Sequence, residues 1–269
     1  MTSLPGSGRD VVAADLEAQI ISGGLAPGDR LLSERQLAQR HHVSRPIVRE
    51  ALRILSERGL VEIAPGRGAF VQHQSPLSET RPFDAVYRRG HPTARVLSEA
   101  RLMLESETAF LAAQRAELAD VQDLQRRLLA LEAGGSPEET VRNDLSFHLR
   151  IAQAAHNRII EAMLASLAPL SAELMVRSLG TPDVYRQSAS HHRSVFEAIA
   201  AREPDAARNA MREHVSVASM TYGPDYDDDL DVMARRALRR LGVPDNLRAF
   251  LRAVLPPGRD SSIDRSLPQ

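Results

Sequence analysis

The sequence predicts a mainly α protein: an N-terminal winged helix-turn-helix domain followed by a C-terminal all-helical antiparallel bundle. Three observations predict it. Ala, Leu, Arg and Glu are abundant while aromatics make up only 4% and tryptophan is absent, which favours helices over a β-sandwich and over single-strand binders that stack bases. Two serine-capped helical segments and a glycine-rich turn fall within the first seventy residues or so. From Thr93 to Thr221 helical periodicity runs on, broken only at glycine and proline positions.

Composition also excludes several chemistries. The 269 residues, 43% of them hydrophobic, can bury a core as one large domain or as a small one joined to a medium one. The 34 basic and 35 acidic residues rule out a uniformly basic nucleic-acid coat but leave room for a local basic face. Cysteine is absent, so disulfides, iron–sulfur clusters, thiolate zinc sites and cysteine nucleophiles are excluded, and any metal must be held by His, Asp, Glu or Asn. All the basic residues are arginine, which with the Ala and Leu content points to GC-rich codons. No run approaches about 18 apolar residues, and the start MTSLPGSGRD lacks the apolar stretch of a secretory signal, so the expectation is a soluble, cytoplasmic protein with no membrane partner.

Taken in order, Asp10 to Ile21 reads as a short helix with apolar positions Val11, Ala14, Leu16, Ala18 and Ile20, ended by Gly23-Gly24 and Pro27-Gly28. Ser33 then stands three residues before Gln36, the capping-box spacing, and that helix gives out near His41-His42. Ser44 caps the next, with Pro46 early in the first turn and Ile47, Ala51, Leu52, Ile54 and Leu55 forming the apolar set. Leu60 to Ile63 and Ala69 to Val71 flank Pro65-Gly66-Arg67-Gly68 and read as a hairpin. Pro76, Pro82, Gly90 and Pro92 mark a linker, and the bundle breaks at Gly134 to Pro137, at Gly180-Thr181-Pro182 and at Glu203-Pro204, with Pro169 kinking a helix rather than ending it. The expected organisation is residues 1–75 as the winged domain, 76–92 as linker, 93–222 as a helical effector-binding and dimerisation domain, and 223–269 as a C-terminal helical extension. The aspartates at 225, 227, 228, 229 and 231 lack the glycine and glutamate of a calcium loop, so the extension reads as a capped, solvated pair of short helices.

Arg45, Arg49 and Arg53 recur every four residues and share one face of the second motif helix, where a guanidinium fork can meet guanine edges or phosphates; Arg35 would sit beside the same backbone. The competing account is that they pair with Glu34, Glu50 and Glu57. Pro27-Gly28, Leu31 to Ala38, Val43-Ser44-Arg45, Val48 to Leu52, Gly59-Leu60-Val61 and Gly66 to Val71 together resemble the winged-helix signature of GntR-type bacterial transcription regulators. That resemblance implies that Arg35, Ser44, Arg45 and Arg49 meet operator DNA, with the wing tip Gly66, Arg67 and Gly68 in the minor groove.

Asp144 and His148 stand one helical turn apart, and His192 and His214 lie on two later helices that a bundle can aim at the same point. Three imidazoles and a carboxylate suit a divalent ion, zinc first, with nickel, iron or manganese as alternatives. A polar core of hydrogen-bonded histidines is the rival account. Glu99-Ala100-Arg101 with Glu105, Asp144 to His148, Ala155 with Asn157, His192-Arg193 with Glu197 to Ile199, and Met211 with His214 resemble the FCD effector domain of the FadR branch of the same regulators. The resemblance implies metal ligands at Asp144, His148, His192 and His214, and an effector set of Arg101 and Asn157 in which Arg101 holds the carboxylate of a small organic acid. An ion pair of Arg101 with Glu105 competes with that role. His156 and His191 are read as lying off the site. Beyond Tyr222 the chain departs from the family pattern.

These readings combine into a metabolite-responsive, sequence-specific repressor acting as a homodimer on double-stranded operator DNA, and not an enzyme. Two alternatives stand beside it: a metal-dependent enzyme fused to a DNA-binding head, and the same regulator with a metal-free pocket for a larger apolar effector.

Overall fold

Serine caps start the second helix as the spacing requires. Ser33 accepts a hydrogen bond from the Gln36 amide, and Gln36 Oε1 accepts from the Ser33 amide at 3.0 Å, so the capping box closes. The computed structural model describes residues 7–72, 87, 89–179, 182–221, 223–243 and 246–255, in two compact units, Met1–Glu79 and Thr80–Gln269. In the first unit, α1 (Gly8–Ile21), α2 (Glu34–Arg40) and α3 (Arg45–Glu57) precede β1 (Val61–Ala64) and β2 (Gly68–Val71). His42 takes a left-handed φ of 51° in the tight turn between α2 and α3. Ser44 occupies the N-cap of α3 with extended backbone but makes no side-chain cap bond there.

Helix α3 buries Val48, Ala51, Leu52 and Leu55, an i, i+3, i+4, i+7 stripe, against α1, α2 and β1. Val48 takes the core position expected of Ile47, which is only half-buried. In α1 the buried face is Val12, Ala13 and Leu16, so Val11, Ala14 and Ala18 face out, contrary to expectation; short helices rich in alanine fix their phase only through packing. The hairpin pairs Val61 with Val71 and Ala64 with Gly68, and Arg30 makes an isolated antiparallel bridge to Phe70, flanked by Leu31 N–H to Ala69 O (2.8 Å) and Val71 N–H to Asp29 O (2.8 Å). At its tip Gly66 has φ +75°, where a side chain would be strained, and a Cβ on Gly68 (φ +112°) would stand 3.2 Å from Arg30 Nε.

The second unit holds α4 (Ala94–Arg115), α5 (Leu118–Glu132), α6 (Pro137–Ala154), α7 (Arg158–Leu179), α8 (Pro182–Ala200) and α9 (Pro204–Thr221), then a short 3-10 helix (Gly223–Asp227), α10 (Leu230–Arg240) and α11 (Leu247–Val254). Pro137, Pro182 and Pro204 open helices, and Pro169 lies inside α7, which runs through it. Two breaks have no glycine or proline to announce them. At Ala116-Glu117 a capping box uses Asp120, and after α6 His156 turns left-handed (φ 49°) while Asn157 caps α7. Pro76 and Pro82 of the expected linker lie outside the described residues.

α7 is the one described helix long and apolar enough to cross a membrane, and most of it is buried inside the bundle by α4, α6, α10 and α11. The extension is therefore not the solvated pair expected. Leu230 and Met233 of α10, each 1% exposed, pack with Ala94, Leu97, Leu167, Leu170 and Leu174. Two aspartates answer arginines of the bundle, Asp227 pairing with Arg95 at 2.7 Å and Asp225 with Arg177 at 3.6 Å, and Asp225 also holds Arg236 of α10 at 2.8 Å. Arg142 of α6 donates to the Ala253 carbonyl of α11 at 2.7 Å.

Truncating Met233 to alanine should therefore destabilise the second unit by about 2–5 kcal/mol, the cost of a buried cavity. Chemical denaturation followed by helical circular dichroism checks this, and a loss below about 0.5 kcal/mol, the surface-substitution range, would mean that α10 is not part of the core.

Candidate metal centre and DNA-reading face

Four helices bring one cluster together. Asp144 and His148 project from successive turns of α6, His192 comes from α8 and His214 from α9, and Arg101 and Glu105 face them from α4. The imidazoles are buried at 7%, 1% and 5% exposure for His148, His192 and His214. Their ring nitrogens converge: His214 Nε2 lies 3.1 Å from His148 Nε2, and Asp144 Oδ1 lies 3.2 Å from both His148 Nε2 and His192 Nε2. Ligand atoms about 2.0–2.1 Å from an ion stand roughly 3.0 Å apart in an octahedron and 3.4 Å apart in a tetrahedron. The observed spacings fall between those two values, so the donor set fits a divalent cation.

A second row of charges orients the first. Glu105 Oε2 lies 2.5 Å from His148 Nδ1, on the far side of the ring from Nε2, and Glu105 Oε1 accepts from Arg101 Nε at 2.5 Å. Carboxylate on Nδ1 directs the lone pair of Nε2 into the cluster, the arrangement typical of metal-bound histidines. Burial, the largest influence on each group, opposes charge, but the opposite charges prevail for three of them. Glu105 is held well below the carboxylate range by Arg101 and His148, and Asp144 likewise by His192 and His148. His148 is pushed up to about 9 by Glu105 and Asp144. For His214 burial wins, reinforced by its imidazole neighbours, and its pKa falls well below the usual value, which leaves a neutral ring.

Beside His148 a small cavity is lined by Arg101, Glu105 and Ser171 on its polar side and by Leu145, Leu149, Leu164 and Met175 on its apolar side. Arg101 pairs with Glu105 and also lines this cavity. Asn157, expected in the effector set, does not line it. Its Oδ1 accepts from the Ile159 and Ile160 amides at 3.1 and 3.3 Å, so it is the N-cap of α7. His156 reaches Asp120 at 2.8 Å and plays no part in the cluster. Glu105 entered the sequence reading within the FCD resemblance and as a rival partner for Arg101, but with no role at the histidines; its i, i+4 spacing to Arg101 was visible, whereas its approach from α4 to His148 on α6 was not.

In the first unit Arg45 and Arg49 both turn to Glu34. Arg49 Nε lies 2.8 Å from each carboxylate oxygen and Arg45 Nη2 lies 3.3 Å from one of them. The Glu34 pKa is lowered, first by the hydrogen bond from Arg49 and further by that from Arg45 and the charges of both guanidiniums, against the opposing effect of burial. Arg53 is enclosed by Glu50 and Glu57. Arg35, Ser44, Gly66, Arg67 and Gly68 are all exposed, with the Arg67 guanidinium 5.8 Å from the centre of the Phe70 ring.

Comparison with known proteins accords with both halves. Residues 9–71 match the family described as bacterial regulatory proteins, gntR family, and residues 96–217 match the FCD domain. The Glc operon transcriptional activator of Escherichia coli (strain K12) is 32% identical over 216 residues, covering 77% of this chain and 85% of that protein. The HTH-type transcriptional regulator LutR of Bacillus subtilis (strain 168) is 30% identical over 205 residues, covering 73% and 93%. Among solved structures, Streptococcus agalactiae GntR is similar with a TM-score of 0.66 at 25% identity, over 79% of this chain and 99% of that one.

In chelator-treated protein, His148 should keep its proton up to about pH 9. Its folded pKa lies above the unfolded value near 6.5, so its contribution to stability is complete below about pH 6.5 and lost as pH rises through 9. Glu105→Gln should lower the His148 midpoint in a ring-proton NMR titration; an unshifted midpoint would show that Glu105 does not act on the ring.

Proposed function

Since this chain belongs to the GntR family of bacterial transcription regulators and carries its FCD domain, we propose that it is a metabolite-responsive regulator whose bundle binds a divalent metal and a small organic acid. The convergence of Asp144 Oδ1 with three buried imidazoles carries the reading. Zinc is the cation that best suits three imidazoles and one carboxylate, and nickel, iron and manganese share the donor preference. When bound, the metal supplies a Lewis acid for ligand oxygens.

Arg101 supports the choice of effector. It is a buried cation paired with Glu105 at the wall of a small, partly apolar cavity, the kind of group that attracts a carboxylate. A short carboxylic acid fits that chemistry better than a large apolar ligand. The relatives on which family membership rests are regulators, so the enzyme alternative is set aside. One of them is an activator, and the sign of regulation follows from operator position rather than from the fold.

The DNA-contact set of this reading is Arg35, Ser44, Arg45, Arg49 and the wing tip Gly66 to Gly68. Arginines on the exposed face of α3 and an exposed wing support it. One recognition helix reads one half-site, which favours a homodimer on a two-fold operator. Such a regulator works in the cytoplasm. Effector binding shifts DNA affinity only through unequal affinity for two arrangements of the heads.

Elemental analysis of untagged protein dialysed without chelator should find near-stoichiometric metal, lost in the His148→Ala, His192→Ala double variant. A metal-free parent that still binds DNA would favour the polar-core account. Zinc added to stripped protein should displace the His148 proton, so its affinity should rise with pH up to about 9, measurable by calorimetry in buffers of different ionisation enthalpy. Arg49→Ala should weaken binding to a duplex enriched from a randomised library by about 1–3 kcal/mol if Arg49 makes a bidentate base contact.

A further inference from the structure

We propose that Glu34 is a specificity-determining residue of the DNA-reading face, holding Arg49 and Arg45 for base edges and weakening their hold on phosphates at other sequences. The proposal rests on the reading of Arg45 and Arg49 as DNA contacts.

Glu34 opens α2, yet the groups it accepts from belong to α3. It accepts from Arg49 through Nε, at 2.8 Å from each oxygen, and the two terminal nitrogens of Arg49 make no hydrogen bond among the described residues. Paired terminal N–H groups are what guanine O6 and N7 accept in the major groove. Arg45 is held by a single terminal nitrogen. Arg53 makes the contrast: its Nε and Nη2 go to Glu50 and its Nη1 to Glu57, so all three nitrogens are occupied. One arginine is presented and the other neutralised.

A carboxylate in that place has two physical effects. It restricts the rotamers of Arg49 before DNA arrives, so less side-chain freedom is lost on docking. It also places a negative charge on the surface that approaches the duplex, where it competes with phosphates for both arginines. Non-specific binding consists almost wholly of phosphate contacts, so that competition weakens it most; a matched base pair restores the loss through the fork of Arg49. The arginine side chains are 60% and 63% exposed, so their pairs with Glu34 are weak enough to rearrange when DNA arrives.

The test uses the full chain, a duplex enriched by the parent from a randomised library, and poly(dI-dC) as non-specific duplex, with affinities measured over a range of salt. Glu34→Gln preserves side-chain shape and removes the charge. Binding to poly(dI-dC) should tighten, with its salt dependence steeper by about one unit of slope, and the ratio of specific to non-specific affinity should fall by about tenfold. In an Arg45→Ala, Arg49→Ala background the same substitution should leave the ratio unchanged. An unaltered ratio in the single variant, equal weakening on both duplexes, or a ratio that still falls without the two arginines would each overturn the proposal. Failure of the parent to enrich any sequence would instead overturn the underlying DNA-contact reading.

Discussion

The bundle is organised around a buried charge cluster that can exist only if every member has an opposite. Asp144, Glu105, Arg101 and His148 are ionised groups with little solvent, and each leans on another: carboxylate on imidazole, carboxylate on guanidinium. An uncompensated buried charge costs several kcal/mol, so removing any one of them leaves its partner exposed to that penalty. Such a cluster is a poor source of net stability and a strong source of constraint. Helices α4, α6, α8 and α9 must meet at fixed heights for the groups to pair, and that fixed meeting converts four scattered residues into one potential binding point.

The rest of the second unit protects that meeting point. A large apolar cluster containing Phe147, Ile151, Val195, Ile199 and Met211 surrounds the ligand-bearing turns, so residues next to His148, His192 and His214 in sequence are locked by packing. Helix α7, apolar along most of its length, needs cover on several faces, and the C-terminal extension supplies part of it. The aspartates that begin the extension neutralise Arg95, Arg177 and Arg236 at the same seam, so apolar and ionic contacts act together there. The cavity, Arg101 and the Glu105–His148 pair lie together against α6, so charge at any one of them is felt by the others.

The reading head works on the opposite electrostatic principle. Its charges are exposed, screened by solvent and individually weak, so they can be exchanged for contacts with a duplex. In the bundle a charge pair defines geometry; on α3 it is a provisional arrangement. The same residue types serve in both places, and burial decides which role they have.

Much of this was legible in the chain. Serine caps, the Gly66 to Gly68 turn and prolines at helix starts set local backbone preferences, and these held because they depend on neighbours within a few residues. The Asp144–His148 pair and the arginine stripe of α3 could also be read from spacing, while His192 and His214 joined that pair through the resemblance to the FCD domain. Tertiary structure alone decided the remainder. Val48 rather than Ile47 entered the core, Glu105 closed on His148, and the acidic extension docked instead of standing in water. Each of these depends on contacts between residues distant in sequence, whose energies exceed the local propensities that periodicity and spacing report.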